Sequence, residues 1–333
     1  MFYNRNKLGL ALLSCLSVQQ IQMALAFSVF PAQKNMCRYV PTVQDEDVDI
    51  ELPDFDKLFQ TIREVSPLAS LAMNCETGGF EVADKNYPPS LKWKNVESKK
   101  GATVHRIEKV ENYNGSKFPV VRFRSSLEGP CLGSKMVEYI MKLEERAQWD
   151  PQIDDLSEIY TAKDVKEVQS IVGDDYGKCA MFGVGYTKTK RYLVVDGREQ
   201  LTLCGLQEFP TGASIIWGVE METRNDHMFP EGSRSTRAKT LLYTTTLVPT
   251  GDNTFDAEYC LQLDTGGNLP SFLTTPIMID SVKTLFSQAK KDFEDEEGIK
   301  KWMEENLKVD DKTEVADTEE ELRNEKLGLL MTP

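Results

Sequence analysis

One run near the C-terminus restricts the folds open to this chain more than any other: Leu263-Asp264-Thr265-Gly266-Gly267-Asn268-Leu269-Pro270-Ser271-Phe272-Leu273, which joins an alternating segment to a long amphipathic one. Gly266 and Gly267 supply the backbone freedom for a tight reversal, and Pro270 fits the first helical turn, where its missing N–H leaves no bond unmade. From Phe272 the apolar residues recur at Ile279, Val282, Phe286, Ala289 and Phe293, with Leu273, Ile277, Met278 and Leu285 widening the stripe. That spacing predicts a helix from Phe272 to Phe293 whose oily side must lie on something apolar. Two readings follow: ordinary packing in the core of one domain, or a lid over a cavity hinged at Gly266, Gly267 and Pro270.

Upstream, Pro53-Asp54 opens a helical stretch from Phe55 to Met73 that Pro67 interrupts, and Gly78-Gly79 and Pro88-Pro89 punctuate a loop. Alternating runs then read as antiparallel strands: Thr103 to Glu108, Val120 to Ser125, Val165 to Val172, Tyr192 to Cys204, Ser214 to Thr223, Lys239 to Val248 and Thr254 to Leu263. One helix, Ser134 to Trp149, interrupts them with Met136, Ile140, Leu143 and Ala147 on one face. The fold class is therefore α+β, a curved antiparallel sheet gripped by its last helix.

A length of 333 residues, 40% apolar, is enough for one large domain with appendages, and a net charge of -14 argues against nucleic acid. Of seven cysteines, Cys15 and Cys37 fall in the leading segment; the other five are widely spaced and odd in number, which favours reduced thiols over a disulfide framework. Two histidines are too few for a His-rich metal site, and no GxSxG elbow, Walker loop or HExxH occurs. No catalytic group, metal or cofactor is expected.

The leading residues read as an address. Arg5 and Lys7 precede an apolar Leu8 to Val18 and a small-x-small site, Ala24-Leu25-Ala26, which predicts a signal peptide over 1–26. Residues 27–44 hold Lys34 and Arg38 but no acid, the composition of a transit peptide. Ala24-Leu25-Ala26-Phe27-Ser28-Val29-Phe30-Pro31 resembles the two-part presequence of plastid proteins in algae with complex plastids, such as diatoms; the alternative address is secretion or the endomembrane lumen. Residues 45–83 then form an acidic helix and linker. At the other end, 294–333 is an acidic tail, read as a solvated segment or as a docking helix for a protein partner.

Arg146-Ala147-Gln148-Trp149-Asp150, Lys190-Arg191-Tyr192-Leu193-Val194-Val195, Thr236-Arg237-Ala238 and the Asp264 to Leu273 run with its helix occur in the order of the landmarks of the START domain, the steroidogenic acute regulatory protein-related lipid-transfer family. The resemblance covers Asp84 to Phe293, and the ending is most similar to that of phosphatidylcholine transfer protein. It implies a helix-grip fold around a tunnel for one lipid, closed by the last helix and by a loop matching 205–212, with Leu206 and Phe209 at its tip. An apolar pair in a Gly-bounded turn is as readily tucked into the protein.

Lipid carriage asks for apolar wall, where each buried CH₂ contributes about 0.8 kcal/mol, a movable door and a few polar groups for the head group. Charged residues in strand-like segments, Arg191, Asp196, Arg198, Glu220 and Arg237, are the polar candidates; an inward Arg needs a carboxylate or ligand phosphate beside it, and outward placement is the ordinary alternative. The family's usual Arg-Asp before the aromatic and Val is Arg191-Tyr192 or Lys190-Arg191 here, so head-group chemistry does not carry over. Trp149 reads as a boundary residue with Asp150 fixing the next turn, while Trp217 suits a core or a tunnel wall. The expected function is non-catalytic binding and transfer of one phospholipid, galactolipid or sterol-like lipid, with transient contact to a membrane surface. An enzyme on an apolar ligand and a lipid-gated interaction module are the alternatives.

Overall fold

The computed structural model describes residues 50, 52–99, 105–128, 150, 152–162, 165–191, 196–221, 227–230, 235–252, 254–267 and 269, with 137, 140, 143 and 146 in one helix and 274–276, 278–280, 282–284 and 286–287 in another. The expected presequence (1–44) and acidic tail (294–333) lie outside them. Asp54 starts helix α1 (Phe55–Val65) by accepting from Lys57 N at 3.0 Å. Ser66 breaks the chain direction and caps the next helix, α2 (Pro67–Met73), accepting from Ala69 N at 2.9 Å with Pro67 at the first helical position. The interruption read at Pro67 is thus a junction between two helices. Gly78-Gly79, read as a loop, instead opens helix α3 (Gly79–Asn86). Gly79 has φ 59° and a Cβ there would overlap the Asp256 carboxylate, which receives Phe80 N at 2.6 Å; only glycine fits.

Among the described residues ten strands follow: β1 (Lys94–Lys99), β2 (His105–Val110), β3 (Val120–Glu128), β4 (Ile153–Thr161), β5 (Lys178–Thr189), β6 (Arg198–Glu208), β7 (Ser214–Glu220), β8 (Thr236–Arg237), β9 (Lys239–Gly251) and β10 (Thr254–Asp264). Helix α4 carries residues 137, 140, 143 and 146 between β3 and β4, α5 is Lys166–Val172, and α6 carries residues 274–276, 278–280, 282–284 and 286–287. The sheet is curved, unclosed and antiparallel, in the order β1-β2-β3-β10-β9-β7-β6-β5-β4; the two-residue β8 alone runs parallel, beside β6. This is the expected α+β helix-grip fold.

Val165 to Val172, expected as a strand, is helical. Its apolar residues satisfy both periods, and the helical one places Val168 and Val172 inside while leaving Ile171 51% exposed. Gln169 then ties the helix to β5, donating to the Gly173 carbonyl at 3.0 Å and accepting from Cys179 N at 2.5 Å. Strands β1, β4 and β5 went unread for local reasons: β1 and β4 are the polar edges, and β5 contains Gly183 and Gly185, which imitate breakers. Gly183 is required, since a Cβ would overlap the Tyr160 carbonyl where β4 bulges.

Alternation gives the sheet two buried faces. On the outer face, α1 and α2 press Phe55 and Phe59 onto Trp217, with Ile62, Val65 and Leu68 beside them. On the gripped face, α4 and α6 pack over Ile107, Phe123, Ile216, Leu247 and Tyr259. The outer face also buries a polar hub. Glu258 of β10, wholly buried, accepts from Ser66 Oγ at 2.5 Å and Leu68 N at 3.2 Å, and pairs with Arg124 at 2.9 Å. Arg122 answers Glu108 at 2.6 Å and reaches the Val65 carbonyl at 3.4 Å.

Breaking such a buried pair leaves two guanidinium groups short of a counter-charge. Glu258→Ala is expected to lower stability by about 3–5 kcal/mol, read from urea unfolding. Thr244→Val on the same face removes a buried hydroxyl that has no partner among the described residues, and should be neutral or stabilising.

Candidate functional site

The gripped face is built by residue parity. In β9 and β10, Tyr243, Leu247, Phe255, Ala257 and Tyr259 point to it, while the residues between them point to the outer face. Helix α6 lays Met278, Val282 and Phe286 on this surface, all buried, with Ile279 half-buried at the same contact. Phe286 stacks on Phe123 with centroids 4.3 Å apart and meets Tyr259 edge-on at 6.2 Å. Lys283 pairs with Glu97, so the helix also touches edge strand β1. From the other side, α4 contributes Val137 and Ile140, and its Leu143 rests over Gly185.

Into this apolar surround the fold sets a small polar group. Tyr243 and Tyr259 face each other at 5.4 Å, and Gly218 leaves room for the Tyr243 ring, which a Cβ would crowd. Burial drives both phenols above the ordinary tyrosine range, and the Arg146 charge opposes that rise at each, so Arg146 of α4 sits near both. Its Nε is buried and lacks a hydrogen bond among the described residues, pairing with Asp150 Oδ2 at 3.5 Å. Asp150 meanwhile accepts from Gln152 N at 3.0 Å, the turn-fixing role its sequence position suggests. Burial also pushes the Cys204 thiol up to about 12, so at neutral pH it is uncharged. A guanidinium edge and two neutral phenols inside an apolar grip suit a ligand with hydrogen-bond acceptors or negative charge at one end and hydrocarbon at the other.

The residues singled out from sequence scatter by comparison. Val282, Phe286 and Ile279 are at the grip. Trp217 is not: it lies on the outer face, wholly buried against Phe55, Phe59 and Phe182, because β7 parity sends Ile216 to the grip instead. Phe209 is buried in the outer core against Gly177, and the loop shrinks to a turn in which Gly212 N donates to the Phe209 carbonyl at 2.9 Å; neither Phe209 nor Leu206, which lies in β6 on the gripped face, forms an exposed tip. Arg191 and Asp196 pair at 3.5 Å with side chains 67% and 79% exposed, a solvent-side contact contributing about 0–1 kcal/mol. Glu220 pairs with Lys239 at 3.2 Å, both partly exposed. Arg237 has the acidic partner an inward Arg needs, Glu199 at 2.5 Å, but on the outer face, where Tyr186 also reaches Glu199 and the Phe229 ring covers the guanidinium. Trp149, Pro270 and Phe272 lie outside the described residues.

Arg198 has a different use. Its Nε donates to the Thr265 carbonyl at 2.7 Å, at the glycine junction. Asp264 Oδ1 accepts Gly266 N at 2.9 Å, and Gly266 (φ 68°) lies so close to the Arg237 carbonyl that a Cβ would overlap it. Gly267 is also left-handed, at φ 66°. The junction is thus a clamped reversal. Sequence reasoning missed Tyr243, Tyr259 and the buried Nε of Arg146. The tyrosines were recoverable from strand parity; Arg146 stood only as a landmark in the run ending at Asp150.

No protein-family model matches the sequence, and no curated relative does. Among solved structures, human STARD10 is similar at 15% identity with a TM-score of 0.52, over 81% of this chain and 89% of that one. Human StAR-related lipid transfer protein 5 gives 13% identity and a TM-score of 0.49 over 68% and 96%. The STARD10 likeness agrees with the helix-grip architecture derived above, and at this identity it speaks to fold alone.

Gly266→Ala would force a Cβ both into a left-handed backbone and into the Arg237 carbonyl. A loss of about 1–3 kcal/mol is expected, measured as a lowered unfolding midpoint. At Gly212, also left-handed but with only an ordinary contact to Pro249, the same change should cost less.

Proposed function

We propose that the chain is a non-catalytic carrier of a single lipid, held between α6 and the gripped face with its head group at Arg146, Tyr243 and Tyr259. The observation that carries this reading is a buried Arg146 Nε without an acceptor, set among aromatic and aliphatic side chains. Its pairing with Asp150 at 3.5 Å leaves that N–H without a hydrogen bond, and a ligand oxygen would supply one. The START-like fold, and the landmarks in the sequence that resemble that family, support the same class of cargo: a phospholipid, a galactolipid or a sterol-like molecule.

Release needs α6 to move, and the clamp on Thr265 and Gly266 supports a pivot after Gly267 rather than across the whole junction. Opening would separate Phe286 from Phe123 and Tyr259 and break the Lys283–Glu97 pair, exposing apolar surface that a membrane can cover. The presequence supports delivery to a plastid, where a fluorescent fusion of residues 1–44 should accumulate; secretion into the medium would refute that address. The acidic tail is proposed as the place where a protein partner docks.

Native mass spectrometry of the protein purified from cells, followed by extraction, is expected to show one lipid per chain. Arg146→Met should lower the retained lipid at least tenfold while the protein stays folded. Phe286→Ala should speed transfer between vesicles by loosening the helix. Repeated recovery of empty protein with no vesicle transfer would sink the proposal, and chemical conversion of the bound molecule would replace it with an enzymatic one.

A further inference from the structure

The outer face carries a feature that lipid carriage does not use: a cleft of about 500 Å³ between α3, the segment entering β1, and strands β2 and β3. That volume suits a small organic ligand. Its floor is Arg122 and Arg124, each with an aromatic ring over the guanidinium, Trp93 at 4.1 Å and Phe80 at 4.1 Å. Both floor charges are committed, Arg122 to Glu108 and Arg124 to Glu258 and, through two hydrogen bonds of 2.8 and 3.1 Å, to Asp84.

The groups nearer the mouth are not so committed. Lys92 is exposed and makes no ion pair among the described residues. Arg106, its side chain 46% exposed, has only Glu108, at 3.4 Å, among the described residues. Trp93 Nε1 is buried and has no acceptor among the described residues. Four cationic side chains line the cleft against the two carboxylates Asp84 and Glu108, in a chain whose net charge is -14. A local excess of positive charge, an unmet buried N–H and an apolar wall at Pro89 and Leu91 describe a receptor for an anion with an organic body.

We propose that this cleft binds a soluble phosphate ester. Its terminal oxygens would meet Lys92, Arg106 and Trp93 Nε1, and its organic part would lie on Pro89 and Leu91. Three donors from three side chains match the several acceptor oxygens of a phosphate better than the two of a carboxylate. Arg122 and Arg124 below hold the shape and add field without being consumed. Because the cleft is on the sheet face opposite α6, the proposal stands apart from lipid carriage.

Calorimetric titration of the full chain with glycerol 3-phosphate tests it, with glycerol and glycerol plus sodium chloride as controls. Binding of glycerol 3-phosphate, displaced by inorganic phosphate and weakened at least tenfold in Lys92→Ala/Arg106→Ala, is expected. Trp93→Phe keeps the ring over Arg122 while removing the N–H, and should weaken binding several-fold. Lipid retention should be unchanged in all these variants, and circular dichroism should show them folded. No heat with either soluble phosphate, equal affinity in the double variant, or binding only to phosphatidic acid vesicles would overturn it.

Discussion

The carboxylate of Glu258 holds the two layers of this protein in register. It is wholly buried, and it ends the α1–α2 junction by taking Ser66 Oγ and Leu68 N while facing Arg124 across the pair β3–β10. A charge so placed is tolerable only when fully answered, and here the answer comes from the start of a helix on one side and a guanidinium on the other. The consequence reaches the opposite face. Glu258 and Tyr259 are consecutive in β10, so fixing one orients the other, and Tyr259 is what Phe286 of the closing helix meets. Strand β10 therefore alternates between Asp256, Glu258, Cys260 and Gln262, which secure the outer layer, and Phe255, Ala257, Tyr259 and Leu261, which build the grip. It then runs directly into the clamped glycines.

How far the sequence discloses this depends on whether a residue's role follows from near neighbours. Helices α1 and α2, strands β3, β7, β9 and β10, and the class of the fold follow from periodicity and caps, which are local. The α6 stripe also follows, since Val282 and Phe286 could only be apolar if they met a surface. What failed were contacts made across the fold. Gly79 reads as a loop residue until Asp256, far along the chain, is seen to need its missing Cβ. Arg122, Arg124 and Glu258 look like solvent-facing strand charges one at a time; only the packing of α2 and α3 over them turns them inward. Trp217 suits either a core or a tunnel wall from sequence alone, because parity in β7 cannot be signed without knowing which side α6 takes.

The same logic separates what holds still from what can move. Outer-face bonds are many and charge-assisted, and they join segments far apart in sequence, such as Ser66 with Glu258 and Asp84 with Arg124. Among the described residues the contact of α6 with the sheet is different in kind, with aromatic stacking, aliphatic packing and the partly exposed Lys283–Glu97 pair. Dispersion and burial give such a contact strength but little directional cost to sliding or lifting, provided another apolar surface receives the uncovered side chains. A hydrogen-bonded layer lifted in the same way would strand buried charges. The clamp at Thr265 and Gly266 ties the end of β10 to the outer layer. Two glycines there adopt left-handed backbone and Arg198 holds the preceding carbonyl, which makes the glycines part of the anchored layer.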